Sequence, residues 1–237
     1  MNPDPFRVVR DFESALCDYT GAPFAVTTTS CTMALLLAVA WHLRRLDPQP
    51  SAIGNWDTTK LSHPYTIRVE ARAVPQIGIP KRTYVSVPQS IIHAGGRPVF
   101  YDQDWRGMYR LEPLPVWDSA RWLTGGMYQQ PDDGPRVAKG SMFCLSFHWG
   151  KTLGIQQGGA ILHDDPKADK WLRRARFDGR TEGVAPKDDH FDMIGWHAYM
   201  SPEIAAEGLV RLSHLPLHND PLPNDDYPDL SLMDCFK

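Results

Sequence analysis

The sequence predicts an α/β fold, a three-layer α/β/α arrangement with a mainly parallel sheet. Three observations carry this expectation. Short apolar runs of strand length alternate along the chain with longer helical stretches, which is the order that places helices on both faces of a sheet. Glycine, proline and hydroxyl residues punctuate the changes from one pattern to the next. With 237 residues, 42% hydrophobic and 22% charged, the chain has ordinary globular usage and enough length to bury a sizeable core.

The elements follow in order. A helix is expected near residues 6–19 and a strand near 24–28, and then Thr27-Thr28-Thr29-Ser30-Cys31-Thr32 opens an Ala- and Leu-rich helix over 31–46. Residues 47–76 carry Pro48, Pro50, Gly54, Pro64 and Pro75 and read as a long connector. A strand near 77–80, a helix over 86–94 and a strand near 98–101 come next, followed by strands near 114–117, 142–147 and 158–163. Helices over 166–177 and 202–214 complete a single domain, 1–215. The Pro- and Asp-rich stretch 216–237 reads as an extended arm.

Candidate chemistry concentrates at the ends of the predicted strands. The run Ser141-Met142-Phe143-Cys144-Leu145-Ser146-Phe147-His148-Trp149-Gly150-Lys151 sets one lysine in a Gly-bounded turn, before a second strand that begins at Gly158-Gly159. A partly desolvated lysine near other cations loses its proton more readily and forms a Schiff base with an aldehyde such as pyridoxal phosphate. The hydroxyl-rich start of the helix at 31 offers backbone N–H groups and side-chain donors to a phosphate. Tyr84, just after a strand, is placed to cover a planar cofactor. Asp118 ends a short apolar strand, where ligands bind in open α/β sheets.

Taken together these segments resemble the DegT/DnrJ/StrS family of pyridoxal-phosphate-dependent sugar aminotransferases, of fold type I, in a shortened form. Six short motifs occur in the family's order: Ser30-Cys31-Thr32-Met33-Ala34-Leu35, Thr83-Tyr84-Val85-Ser86, Trp117-Asp118-Ser119-Ala120-Arg121, Ser146 to Lys151, Gln157-Gly158-Gly159 and His197-Ala198-Tyr199-Met200-Ser201. Phe177-Asp178-Gly179-Arg180 resembles a further family stretch. The resemblance implies that Lys151 carries the cofactor as its internal aldimine and that Asp118 pairs with the pyridine nitrogen. It further implies that Tyr84 stacks on the ring, and that Ser30, Cys31, Thr32 and Ser146 hold the phosphate. Arg121 stands where the family contacts the ring's phenolic oxygen, and His197 where an asparagine reaches the neighbouring subunit's phosphate. Cys31 replaces a close-approach glycine and Tyr199 a basic residue.

The resemblance also implies a homodimer with a shared site, an amino donor such as glutamate or glutamine, and a keto-sugar or similar polar acceptor. The small C-terminal domain of the family is expected to be reduced or absent. Without it, the 31–46 helix with Trp149, Trp196 and Tyr199 is expected to expose an apolar face for pairing. Two alternatives stay open: another pyridoxal-phosphate reaction, such as decarboxylation of an amino acid or an aminoacyl-modified nucleotide in a virus-encoded enzyme, and a catalytically dead scaffold.

Composition narrows the rest. Net charge of −3 gives no general pull toward nucleic acid or a membrane surface, and no run of about eighteen apolar residues is present to span a bilayer. Cys17, Cys31, Cys144 and Cys235 lack metal-ligand spacing and the nine histidines form no zinc signature, so no metal and a reducing, cytoplasmic setting are expected.

Overall fold

A computed structural model describes residues 4–46, 73–129, 137–224 and 226–237. Most of the connector, 47–72, lies outside the described residues. The chain enters through α1 (Arg7–Thr20), whose last turn closes on Gly21 at φ 76°, with the Gly21 N–H bonded to the Cys17 carbonyl. Only glycine takes that left-handed cap without strain. Then come β1 (Phe24–Thr28), α2 (Cys31–Leu46), β2 (Gln76–Pro80), α3 (Ser86–His93) and β3 (Arg97–Tyr101). Three strands, β4 (Tyr109–Leu111), β5 (Val116–Asp118) and β6 (Met142–Ser146), precede β7 (Gly159–His163). Two further helices, α4 (Pro166–Ala175) and α5 (Pro202–Ser213), begin in the same way: an Asp165 or Ser201 side chain accepts a bond from the first turn, and proline fills the position whose N–H has no partner.

The strands form a five-stranded sheet in the order β1-β7-β6-β5-β4, and β2 and β3 pair in a second sheet. Two hydrogen bonds between Gly78 and Glu112 tie the edge of one to the other. The α/β class holds, but the expected mainly parallel sheet is mixed: β5/β6 and β2/β3 run parallel, whereas β1/β7, β6/β7 and β4/β5 run antiparallel. The reason is in the connections. A parallel neighbour needs a long crossover, usually a helix. Residues 112–115 between β4 and β5 are too few for one, and the Lys151 loop between β6 and β7 contains no helix.

Side chains alternate across β6, so Met142 and Cys144 point to one face and Phe143 and Leu145 to the other. The first face packs under α2, α3 and α4, and the second under α1 and α5. This gives the three layers. Apart from its ends, α2 is enclosed in the first of these cores, with Ala34, Leu37, Ala38 and Val39 fully buried. It therefore offers no face for pairing, contrary to the sequence expectation. Trp196 packs against the same core and Tyr199 lies among Phe6, Phe177 and His197, so of the expected aromatic patch only Trp149 stays well exposed.

Residues 216–237 run back along the body. Leu217 O accepts from Gly125 N, Asn219 O from the Trp122 indole, and Leu230 N donates to Lys81 O. Short 3₁₀ turns at Leu230–Leu232 and Asp234–Phe236 end the chain, with Phe236 packed on Phe100. Among the described residues no helix is long and apolar enough to cross a membrane, and no cluster of three or more His, Cys, Asp or Glu is arranged to hold a metal.

Candidate active site

The β7 glycines bring the site together. Gly158 lies at φ 128°, closed to other residues without strain, and forms a bridge with Ser30. At Gly159 a Cβ atom would meet Cys31 N at 2.5 Å and Ser30 C at 2.6 Å. The missing side chain is what lets the first turn of α2 lie directly against β7.

That turn is rich in donors. Ser30 caps α2 by accepting from Met33 N at 3.2 Å. The Thr32 hydroxyl donates to Ser86 Oγ at 2.8 Å, which joins the start of α2 to the start of α3. Ser90 secures the junction through bonds to the carbonyls of Ser86 and Thr32, at 2.8 and 3.0 Å. Two helix N-termini and their hydroxyls thus border one cavity, a setting that favours an anion.

The cavity measures about 300 Å³. Eight of the nine residues singled out in the sequence line it: Ser30, Cys31, Thr32, Tyr84, Asp118, Arg121, Ser146 and Lys151. Asp118 ends β5 and is buried. Its Oδ1 accepts from Ala120 N at 2.9 Å and its Oδ2 from the Tyr109 hydroxyl at 2.9 Å. Burial pushes its carboxyl above the usual aspartate range, while the Ala120 amide, the Tyr109 hydroxyl and the Lys151 charge act in the opposite sense. Burial likewise raises the Cys31 and Cys144 thiols well above their ordinary value, with Asp118 adding to both, so neither is a ready nucleophile. Lys151 sits half-buried in the turn that follows β6, its amide bonded to His148 O at 2.8 Å. Tyr84 lies at the mouth with about half its surface exposed.

The structure adds residues that the sequence reading did not single out. Trp105 and Tyr227 line the cavity, their rings nearly parallel with centroids 6.2 Å apart. Arg121 donates to Pro223 O and, at 3.4 Å, to the Tyr227 hydroxyl, so the C-terminal segment is held against the cavity wall. Tyr227 lies in a stretch with no periodicity, and no sequence signal marks it. Tyr109 had a faint one, the apolar-polar-apolar alternation of Tyr109-Arg110-Leu111. The ninth residue, His197, does not line this chain's cavity; its side chain is exposed, with Nδ1 3.0 Å from Asp178 Oδ2.

The chain as a whole is similar to known proteins. The model of the DegT/DnrJ/EryC1/StrS aminotransferase family matches residues 6–47 and 125–220. A UDP-4-amino-4,6-dideoxy-N-acetyl-β-L-altrosamine transaminase of Campylobacter jejuni is 23% identical over 90% of this chain and 58% of its own length. The structure of AtS13 from Actinomadura melliaura superposes with a TM-score of 0.62 at 18% identity, over 88% of this chain and 60% of that one. PseC of Helicobacter pylori, an aminotransferase of pseudaminic acid biosynthesis, does so with a TM-score of 0.60 at 15% identity, over 91% and 64%. The chain therefore spans about three fifths of the length of the relatives it matches. With its family model covering more than half of it and the family's fold around the cavity, the chain belongs to the DegT/DnrJ/EryC1/StrS aminotransferase family.

Proposed function

We propose that this protein is a pyridoxal-phosphate-dependent aminotransferase that moves an amino group from a glutamate- or glutamine-like donor to the keto group of a sugar, acting as a homodimer in a reducing compartment such as the cytoplasm. The observation that carries the reading is the convergence of Lys151, Asp118 and the hydroxyl-rich starts of α2 and α3 on one cavity. The donor set fits the cofactor: hydroxyls and helix N-termini for a phosphate, a buried carboxylate for a ring nitrogen, and an amine for an aldehyde. Family members use pyridoxal phosphate, and a nucleotide-linked sugar is the substrate class named for the Campylobacter relative. Residues 1–215 form the cofactor-binding domain in this reading and 216–237 an arm that adds a wall to the cavity.

When bound, the cofactor supplies a ring that takes up the electron pair left on carbon after proton loss. Asp118 holds a proton at the ring nitrogen. Ser30, Cys31, Thr32 and Ser146 hold the phosphate through backbone and hydroxyl groups, Tyr84 covers one face of the ring, and Arg121 carries positive charge to its oxygen edge. Lys151 would supply the amine that anchors the cofactor's aldehyde and, once freed, the base that carries a proton within the cavity. The presence of both Lys151 and Asp118 in one cavity speaks against the scaffold alternative, and nothing in the cavity favours decarboxylation.

The test is reconstitution. Protein incubated with pyridoxal phosphate should absorb in the violet and retain the group covalently after borohydride, and Lys151→Ala should lose both while melting within a few degrees of the parent. Glutamate should then discharge the violet band and release a 2-oxo acid. Retention of the borohydride adduct in Lys151→Ala would remove Lys151 from the role.

A further inference from the structure

We infer that Tyr109 is a positioning residue for Asp118, the inner member of a Thr83–Tyr109–Asp118 hydroxyl relay that fixes the carboxylate's orientation and keeps it ionised. The inference rests on the reading of Asp118 as the partner of the cofactor's ring nitrogen.

The geometry is closed and directional. Tyr109 Oη lies 2.9 Å from Asp118 Oδ2 and 2.6 Å from Thr83 Oγ1. An ionised carboxylate only accepts, so Tyr109 donates to Asp118 and Thr83 donates to Tyr109. All three side chains are buried, which makes the bonds stronger and their loss more costly than at a surface. Asp118 Oδ1 is taken by the Ala120 amide, so Tyr109 is the side-chain hydroxyl that holds Oδ2. The phenol is itself locked: β4 pairs with β5 in a register that sets Tyr109 opposite Asp118, and Trp105 packs edge-on to its ring at 4.7 Å. Thr83 follows β2, lines the cavity and neighbours Tyr84.

The relay answers a problem that burial creates. A carboxylate in this site is driven toward its neutral form, and a neutral acid does not hold a positive ring nitrogen. A donated hydrogen bond favours the ionised form. The charged and titratable groups around Asp118 are Lys151 in the β6–β7 loop, Cys31 at the start of α2 and Cys144 on β6, with Arg121 and His148 also lining the cavity. Burial holds the thiols neutral, so they add no second negative charge beside the carboxylate, and Lys151 is the countercharge named for it. The Tyr109 bond therefore adds to what Lys151 and the Ala120 amide provide. Burial and the Asp118 charge hold the phenol itself protonated, which keeps it a donor.

Tyr109→Phe removes the hydroxyl and keeps the ring against Trp105. In the cofactor-free protein, carbon-13 NMR of the Asp118 carboxyl should report proton affinity raised about tenfold, the size of one hydrogen bond to a charged group. Pyridoxal phosphate should bind about tenfold more weakly. Thr83→Val, which breaks only the outer link, should move both readouts the same way by less, and Thr83→Ser should restore them. An Asp118 titration and cofactor affinity within twofold of the parent in Tyr109→Phe would overturn the inference. Should that variant fail to fold, Thr83→Val and Thr83→Ser decide, and identical titrations in the two would overturn it. A parent protein that forms no covalent adduct at Lys151 defeats the proposed function instead, and the carboxyl titration still decides the role of Tyr109.

Discussion

Single residues decide where the cavity forms. Lys151, Asp118, Ser146 and the Ser30–Thr32 turn were legible in the sequence because each ends or follows an apolar strand, where the backbone stops pairing and side chains meet a ligand. Trp105 and Tyr227 were not, since an aromatic in an irregular stretch looks the same whether it packs a core or walls a site, and Tyr109 left only the faint alternation of the short β4. Gly159 was legible as part of a glycine pair, but its reason is steric and needs the fold. Any side chain there runs into the backbone of Ser30 and Cys31, which unlike a flexible side chain has little room to yield. Gly159→Ala should therefore push the start of α2 away from β7, destabilising the protein by about 1–3 kcal/mol. It should also weaken cofactor binding more than Ala substitution at a site far from the cavity that destabilises equally. Thermal melting and a cofactor titration on the same preparation check both halves.

At the scale of elements, the five helices among the described residues were legible to within two residues, α2 through its unbroken Ala- and Leu-rich run and α4 and α5 through their Asp165-Pro166 and Ser201-Pro202 starts. The three-residue β4 was not legible, because one cycle of alternation over Tyr109-Arg110-Leu111 is too little to tell a strand from a turn. What the elements require of one another is less visible in sequence. Glu13 on α1 is buried, with Oε1 accepting from Thr27 N at 2.9 Å and Thr27 Oγ1 at 2.8 Å, and it pairs with Arg176 and, at 2.6 Å, Arg173. One carboxylate thus links α1, β1 and the end of α4. Burial pushes its carboxyl up, but the two guanidiniums more than offset this and hold it below the ordinary glutamate value of 4.5. A depressed acid stabilises the fold above its unfolded value and loses that contribution as pH falls.

His163 on β7, fully buried beside Phe24, acts at higher pH: burial lowers its imidazole from 6.5 to about 4, against the pull of Asp169. A base held neutral in the fold costs stability wherever the unfolded chain binds the proton, from 6.5 downward. Urea midpoints should accordingly fall in two stages with acidification, first between pH 6.5 and 4, then below 4.5. His163→Leu should flatten the first stage. Glu13→Gln should cost about 3–5 kcal/mol at neutral pH, because it leaves buried arginine charge without its partner. A single-stage acid profile unchanged by His163→Leu would contradict this account.

Across the whole molecule, the cavity is bordered by segments far apart in sequence: the Ser30 turn, the Tyr84 loop, Trp105, the ends of β5 and β6, and Tyr227. The cavity has an open side as well. Tyr84 lines it and is still more than half exposed, Val85 beside it is exposed, and Trp149 in the Lys151 loop is 74% exposed. Exposed apolar groups at and next in sequence to the cavity lining fit cover by a second protein surface better than contact with water. His197 points the same way, since it stands at the position of a family motif's asparagine but outside the cavity of its own chain, on the Asp178 carboxylate. In a homodimer with shared sites, that imidazole would serve the partner's cavity. Sedimentation should then give twice the chain mass at working concentration, and Trp149→Glu should shift the equilibrium toward monomer without unfolding it, because the indole makes little contact with its own core. Lys151→Ala and His197→Ala should each be impaired alone and recover activity when mixed under conditions of subunit exchange, because one of the two sites in the mixed dimer regains both residues. Mixed dimers verified by mass spectrometry that stay as impaired as their parents would show that His197 serves its own chain or none.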